Sequence, residues 1–306
     1  MRLADVLFGR PLASDEESNQ RITASQGIPI FGLDALSSAA YGPEAALTVL
    51  LPLGLVGARY LLPLTGAIIV LLVIVYFSYR QTIAAYPNGG GSYTVAKENL
   101  GPAAGVLAAG ALMIDYLLNV AVGISAGIGA LVSAMPSLER YTLGLCLAAL
   151  ALLTMVNLRG VREAGSTFMA PTYLFVGTLG VVIARGLYRV IATGGHPPAV
   201  VMPPPAHAVT TTVGLWLLLR AFASGCTAMT GVEAVSNGVS AFHEPAVKQA
   251  RTTLTVIVGI LVILLAGIAY LARVYHIGAT DPGTAGYQSV LSLLVAAVVG
   301  RGAFYY

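Results

Sequence analysis

Uninterrupted apolar runs of about twenty residues or more recur along this chain, and they limit its fold more than any other feature. About 20 apolar residues cross a bilayer once, and a water-soluble protein of 306 residues has no need of several such runs. Only 9% of the residues are charged, against roughly 25% in a soluble domain, and the mean hydropathy is +0.83. The runs predict an all-α membrane protein with spans near 28–53, 59–83, 103–134, 140–158, 166–190, 213–239 and 252–272. Residues 1–27 form a polar N-terminal segment and 28–306 the membrane domain. Breaks fall at Pro43 and Pro52, the Pro87-Asn-Gly-Gly-Gly turn, Pro136, Asn157 to Gly160, the proline-rich 194–205 stretch and Glu244-Pro245. After Arg273 the chain is shorter in pattern and mixed. It reads as a helix outside the membrane, followed by the start of an eighth span at Phe304-Tyr-Tyr306.

Two of the apolar stretches carry an acid among small and helix-breaking residues. Asp34 lies in Phe31-Gly-Leu-Asp-Ala-Leu-Ser-Ser-Ala-Ala-Tyr41-Gly-Pro43, and Glu233 follows Ser224-Gly-Cys-Thr-Ala-Met-Thr230-Gly-Val. An ionised carboxylate in hydrocarbon costs at least a few kcal/mol, so each acid marks a candidate functional site. Transporter helices are interrupted at mid-membrane in this way, and the pattern predicts a broken first and a broken sixth span around a cation site. Carbonyls of an unwound first span, with Asp34 and the Tyr41 hydroxyl, would supply hard oxygen ligands. Thr230 and Glu233 share a face if their half-helix is regular. Asp115 lies midway down the third span, with Asn119 one turn on. Acids converging on one empty cavity cannot all stay charged, so Asp34, Asp115 and Glu233 are candidates to carry a coupling proton.

Structural roles compete with these. Asp34 can cap a half-helix starting near Ser37. Glu233 can take freed amides of its own helix, and Tyr41 can be a packing residue. Asn119 and Ser125 can be polar groups between membrane helices. The net charge of +3 is dispersed and points away from nucleic acid. Cys146 and Cys226 sit in apolar spans, and the four histidines lack ligand spacing, so no disulfide framework, metal site or cofactor is expected. The glycine-rich loop has no Gly-Lys-Ser/Thr and follows no strand, which excludes a phosphate loop. No nucleophile-base-acid set suggests an enzyme.

Lysine and arginine set the orientation. With the N-terminus inside, inner segments hold Arg2, Arg10, Arg21, Arg80, Lys97, Arg159, Arg162, Lys248 and Arg251. Outer segments hold the smaller set Arg59, Arg140, Arg185, Arg189, Arg273 and Arg301.

Pro87-x-x-Gly-x-x-Tyr93 ending in Gly101, together with Gly231-Val-Glu233, resembles signatures of the amino acid-polyamine-organocation superfamily of secondary transporters. Ile30-Phe-Gly-Leu-Asp34-Ala-Leu-Ser-Ser-Ala-Ala-Tyr41, Ser78-Tyr-Arg-Gln-Thr82, Tyr86-Pro-Asn-Gly-Gly-Gly-Ser-Tyr93 and Ala96-Lys-Glu-Asn-Leu-Gly101 resemble the KimA-type bacterial potassium importers within it. The resemblance implies the LeuT-type five-plus-five inverted-repeat fold, here the first repeat and the start of the second. It implies proton-coupled potassium uptake by alternating access in the inner membrane, in homodimers when full length. Asp34, Tyr41, Asp115, Thr230 and Glu233 match the family's cation and proton residues, with Ser125 a weaker match. Amino-acid permeases of the superfamily usually carry a short glycine motif where Asp34 stands. Asp34 would repel a carboxylate, although a cationic polyamine would tolerate it, so an amino-acid or polyamine permease is the alternative. The sequence stops as an eighth span begins, which predicts a fragment inactive alone.

Overall fold

A computed structural model describes residues 21–158, 161–205, 208–284 and 286–305, without side chains over 161–166. Most of the polar N-terminal segment, Arg2, Arg10, Arg159, the Arg162 side chain, His207 and Tyr306 lie outside the described residues. Among the described residues the regular structure is helical, with one isolated parallel bridge between Ile22 and Phe242. Among the described residues five helices are long and apolar enough to cross a membrane: Leu55–Ala85, Pro102–Ala134, Pro136–Asn157, Thr167–Ala192 and Ala246–Val274.

The first apolar stretch forms α1, Ala24–Val49. Thr23 caps it with a reciprocal pair, its hydroxyl accepting from the Gln26 amide while its own amide donates to Gln26 Oε1. This satisfies orphan groups at both residues. Helix α1 is unbroken in spite of Pro29 and Pro43, which corrects the expected interruption at Asp34. A proline costs the carbonyl four residues back its amide partner. For Pro29 that carbonyl belongs to Ser25, and the Tyr173 hydroxyl donates to it at 3.0 Å. Ser37 and Ser38 return their hydroxyls to the carbonyls of Asp34 and Ala35 at 3.0 and 2.6 Å. Local polar groups are thus met without unwinding.

Helix α2 (Leu55–Ala85) returns across the layer and α3 (Ser92–Leu100) lies beyond the glycine turn. Then follow α4 (Pro102–Ala134), α5 (Thr142–Asn157) and α6 (Val161–Ala192). The sixth stretch is in pieces. Helix α7 (Leu215–Gly225) tightens into a 3-10 turn over Cys226–Met229, Thr230 is extended (ψ 151°) and Gly231 is left-handed (φ +76°). A short α8 (Ala234–Asn237) and a further 3-10 turn complete it. Thr230 and Glu233 therefore do not share a regular helical face, because Gly231 reverses the chain between them. The last long helix is α9 (Ala246–Val274), and α10 (Val290–Val299) follows.

Helix α1 is the hub, packed by α9, α6, α7 and α4. Small residues admit the close approaches that bind membrane helices together. A Cβ at Gly32 would meet Ile257 of α9 at 2.7 Å, and one at Gly42 would run into Ala228. At one end Ile22, just before α1, is tied to the end of the sixth stretch. Ile22 N donates to Ala241 O and His243 N to Ile22 O, both at 2.9 Å, while Phe31 packs on Phe242 with centroids 5.4 Å apart. At the other end α10, capped by Ser289, is held by Arg189 Nη1 to Val298 O at 2.9 Å and by Ser289 N to Ser133 Oγ at 2.9 Å. Ten residues are too few to span a bilayer. No helix starts at Phe304 and Tyr305, where the chain forms turns.

Candidate cation site at the break of the sixth span

The break and the acid of α1 meet. A Cβ added to Gly231 would lie 2.5 Å from Asp34 Oδ2, so glycine serves both the left-handed backbone and the close carboxylate. Asn119 of α4 donates through Nδ2 to Asp34 Oδ2. The Tyr41 hydroxyl donates to Asn119 Oδ1 at 3.3 Å and also interacts with Thr230. Asp34, Tyr41, Asn119 and Thr230 thus form one polar cluster across α1, α4 and the break. Thr230 Oγ1 donates to Thr227 O at 3.0 Å, and Ser38 donates to the Ala228 carbonyl at 2.7 Å. That bond covers part of the backbone freed by the break.

Glu233 is only 8% exposed, and its Oε1 has no hydrogen-bond partner among the described residues. The groups acting on it electrostatically include Asp115 and Asp34, and those acting on Asp34 include Asp115. Among the described residues no lysine or arginine figures in the groups interacting with Asp34 or Glu233. Asp115 is exposed on α4 and joins the other acids through its charge. A buried carboxylate without a protein cation is costly.

Among the described residues Ser125 shares no hydrogen bond with this cluster but lines the same cavity as Tyr41. That cavity, of about 730 Å3, begins at Tyr41 and Thr227 and is walled by Glu44, Glu139 and Tyr287 toward the α10 end. The glycine turn after α2 packs against the end of α8. Gly90 N donates to Ser236 O at 3.1 Å, and a Cβ at Gly89 (φ +97°) would lie 2.8 Å from Asn237 O.

Tyr116, Asn237 and Glu44 escape sequence reasoning. Tyr116 lies beside Glu233 and accepts from Asn237 Nδ2 at 2.9 Å, which links the acid to the glycine turn. Glu44 is an acid within the first apolar stretch, the same signal that marks Asp34. Its carboxylate accepts from the Tyr287 hydroxyl and, at 3.1 Å, from Val290 N, so it anchors the segment leading into α10.

Residues 35–306 match the family described as amino acid permease. The chain belongs to that family. It is 40% identical over 304 residues to the potassium transporter KimA of Bacillus subtilis (strain 168), a match covering 98% of this chain and 48% of that protein. The chain spans about half the length of the curated relative it matches. Family and architecture together make it an all-α, multi-pass membrane protein of the permease type.

Proposed function

We propose that this chain forms the cation-handling part of a proton-coupled potassium importer that works by alternating access. The observation that carries the proposal is that Asp34 acts through its charge on Glu233 at the broken sixth span, with no lysine or arginine among the interacting groups of either acid in the described residues. Potassium is named because the relative at 40% identity is a potassium transporter. Asp34, Tyr41, Thr230, Asp115 and Glu233 are the proposed ligands, with Asn119 holding Asp34 and Tyr41 in register and Ser125 on the entry route. Asp34, Asp115 and Glu233 are the proposed proton carriers. The cavity past Tyr41 leads outward and the Gly89–Gly91 turn closes the inner side. Arg21, Arg80, Lys97, Lys248 and Arg251 then lie inside, which places the N-terminus in the cytoplasm beneath the inner membrane. Assembly as a homodimer belongs to the same proposal.

The test is growth rescue of a potassium-uptake-deficient bacterium by the full-length gene, with amino-acid and polyamine uptake assayed in parallel. Rescue that Asp34→Asn abolishes is the expected result. Amino-acid or polyamine uptake without rescue would turn the assignment to a permease for those substrates. Proton coupling has its own test. The membrane potential supplies about 2.3 kcal/mol per charge per 100 mV, and a co-transported proton adds the pH gradient to that. In proteoliposomes at fixed potential, potassium uptake should quicken with an inward proton gradient. Indifference to that gradient would sink proton symport.

A further inference from the structure

On the face of α2 and α9 remote from Asp34, basic residues gather around a groove. Arg80, Lys248 and Arg251 line a cavity of about 440 Å3 with Pro245, Val247, Thr252 and Thr255. The positions are fixed by a short network. Arg251 Nε donates across the helix pair to Arg80 O at 3.0 Å. Arg80 Nη1 donates to the Tyr76 hydroxyl at 2.7 Å, and that hydroxyl is 3.0 Å from Thr255 Oγ1. These bonds occupy one guanidinium nitrogen of Arg80 and the Nε of Arg251, leaving other donors of both forks. Lys248 is exposed at the lip. The nearest acid along the chain, Glu244, turns its Oε2 to the Ala246 amide at 3.2 Å. The first turn of α9 contains no acid, so its amides add to the positive field.

The surface toward mid-membrane changes character at once. On α2, Val73, Ile74, Phe77 and Val70 are exposed, and on α9 so are Val256 and Ile263. Val73 follows the Arg80 and Tyr76 face of α2 by helical spacing, and Val256 follows Lys248 and Thr252 on α9. A basic pocket at the rim of an apolar two-helix face has the shape of one ligand class, an anion with a hydrocarbon tail.

We infer that this groove binds an anionic phospholipid, its phosphate held by Arg80, Lys248 and Arg251 and an acyl chain lying along α2 and α9. Arginine forks and ammonium groups suit phosphate. The inference rests on the chain being in a membrane and not on its substrate. A failed potassium assay leaves it standing.

The test places the full chain in nanodiscs of phosphatidylcholine alone or with phosphatidylglycerol, and measures retained lipid by native mass spectrometry. Phosphatidylglycerol should be retained in preference. A basic residue near a charged surface contributes about 1 kcal/mol, so Lys248→Gln should cut that preference about fivefold. The Arg80→Gln, Lys248→Gln, Arg251→Gln triple variant should lose it. Lys248 is exposed and its side chain holds nothing else together, so its variant tests the site without risk to the fold. The triple variant is judged only against an unchanged melting temperature in phosphatidylcholine. Equal retention of the two lipids by the wild type, or unchanged preference in Lys248→Gln, overturns the proposal. So does inorganic phosphate stabilising the chain in phosphatidylcholine as much as phosphatidylglycerol does, because the site would then take free phosphate.

Discussion

The first and sixth apolar stretches carry the same ingredients: small residues, helix breakers and one acid facing the other stretch. Only the sixth breaks. In α1 the breakers are prolines, whose fixed φ suits a helix, and the carbonyl freed by Pro29 finds the Tyr173 hydroxyl. In the sixth stretch the breaker is Gly231 at φ +76°, a conformation a helix cannot contain. What separates them is whether the lost backbone partner can be replaced in place. The consequence is a division of labour. Helix α1 offers a carboxylate on a regular scaffold, and the sixth stretch offers freed backbone and a hydroxyl beside it.

The largest effects should come from the acids themselves. Asp34→Asn, Asp115→Asn and Glu233→Gln should each abolish potassium uptake by the full-length protein while membrane expression stays near wild type. The motivating observation is that Asp115 acts through its charge on Asp34 and Glu233, for which no lysine or arginine figures among the interacting groups of the described residues. The comparison sharpens this for Asp34. It sits in an intact helix and accepts from Asn119, which an amide oxygen can also do, so its melting temperature should not move. Wild-type uptake in all three variants would defeat the site assignment.

Next in size is the break. Gly231→Ala forces a Cβ into the left-handed region, which costs about 1–2 kcal/mol, and drives that Cβ to within 2.5 Å of Asp34 Oδ2. Uptake should fall steeply and the melting temperature should drop. Gly66→Ala in α2 is the matching control. A Cβ there meets nothing within 4 Å, and alanine in a helix interior gains about 0.8–1.0 kcal/mol over glycine. If Gly231→Ala is as benign as Gly66→Ala, the break does not shape the site.

Long spans and intramembrane acids were legible because both signals are local: length and apolarity for Leu55–Ala85 or Ala246–Val274, one charge among apolar residues for Asp34. The continuity of α1 was not, because the donor that meets the Ser25 carbonyl, the Tyr173 hydroxyl, lies far along the chain. Glu44 was passed over although its signal equals that of Asp34. Its partners Tyr287 and Val290 come from the turn before α10, a region whose mixed pattern gives no sign of docking. Tyr116 and Asn237 carry no charge, and only the fold brings them to Glu233 and the glycine turn.

The smallest expected effect bears on why α1 holds. If the Tyr173 hydroxyl replaces the amide that Pro29 lacks, Tyr173→Phe should leave the Ser25 carbonyl without that donor. The loss should be about 0.5–1.5 kcal/mol, the net worth of one hydrogen bond. Pro29→Ala restores a backbone amide in register with the same carbonyl, so in that background Tyr173→Phe should cost much less. The difference between the two costs is a coupling energy read from a double-mutant cycle, measured as melting temperatures of the four proteins in one detergent. Helix α1 should remain intact in all four, because its cap at Thr23 and its serine back-bonds are untouched. Additive effects would mean that the Tyr173 hydroxyl does not substitute for the missing amide. The continuity of α1 would then have to rest on its packing against α9 and α6.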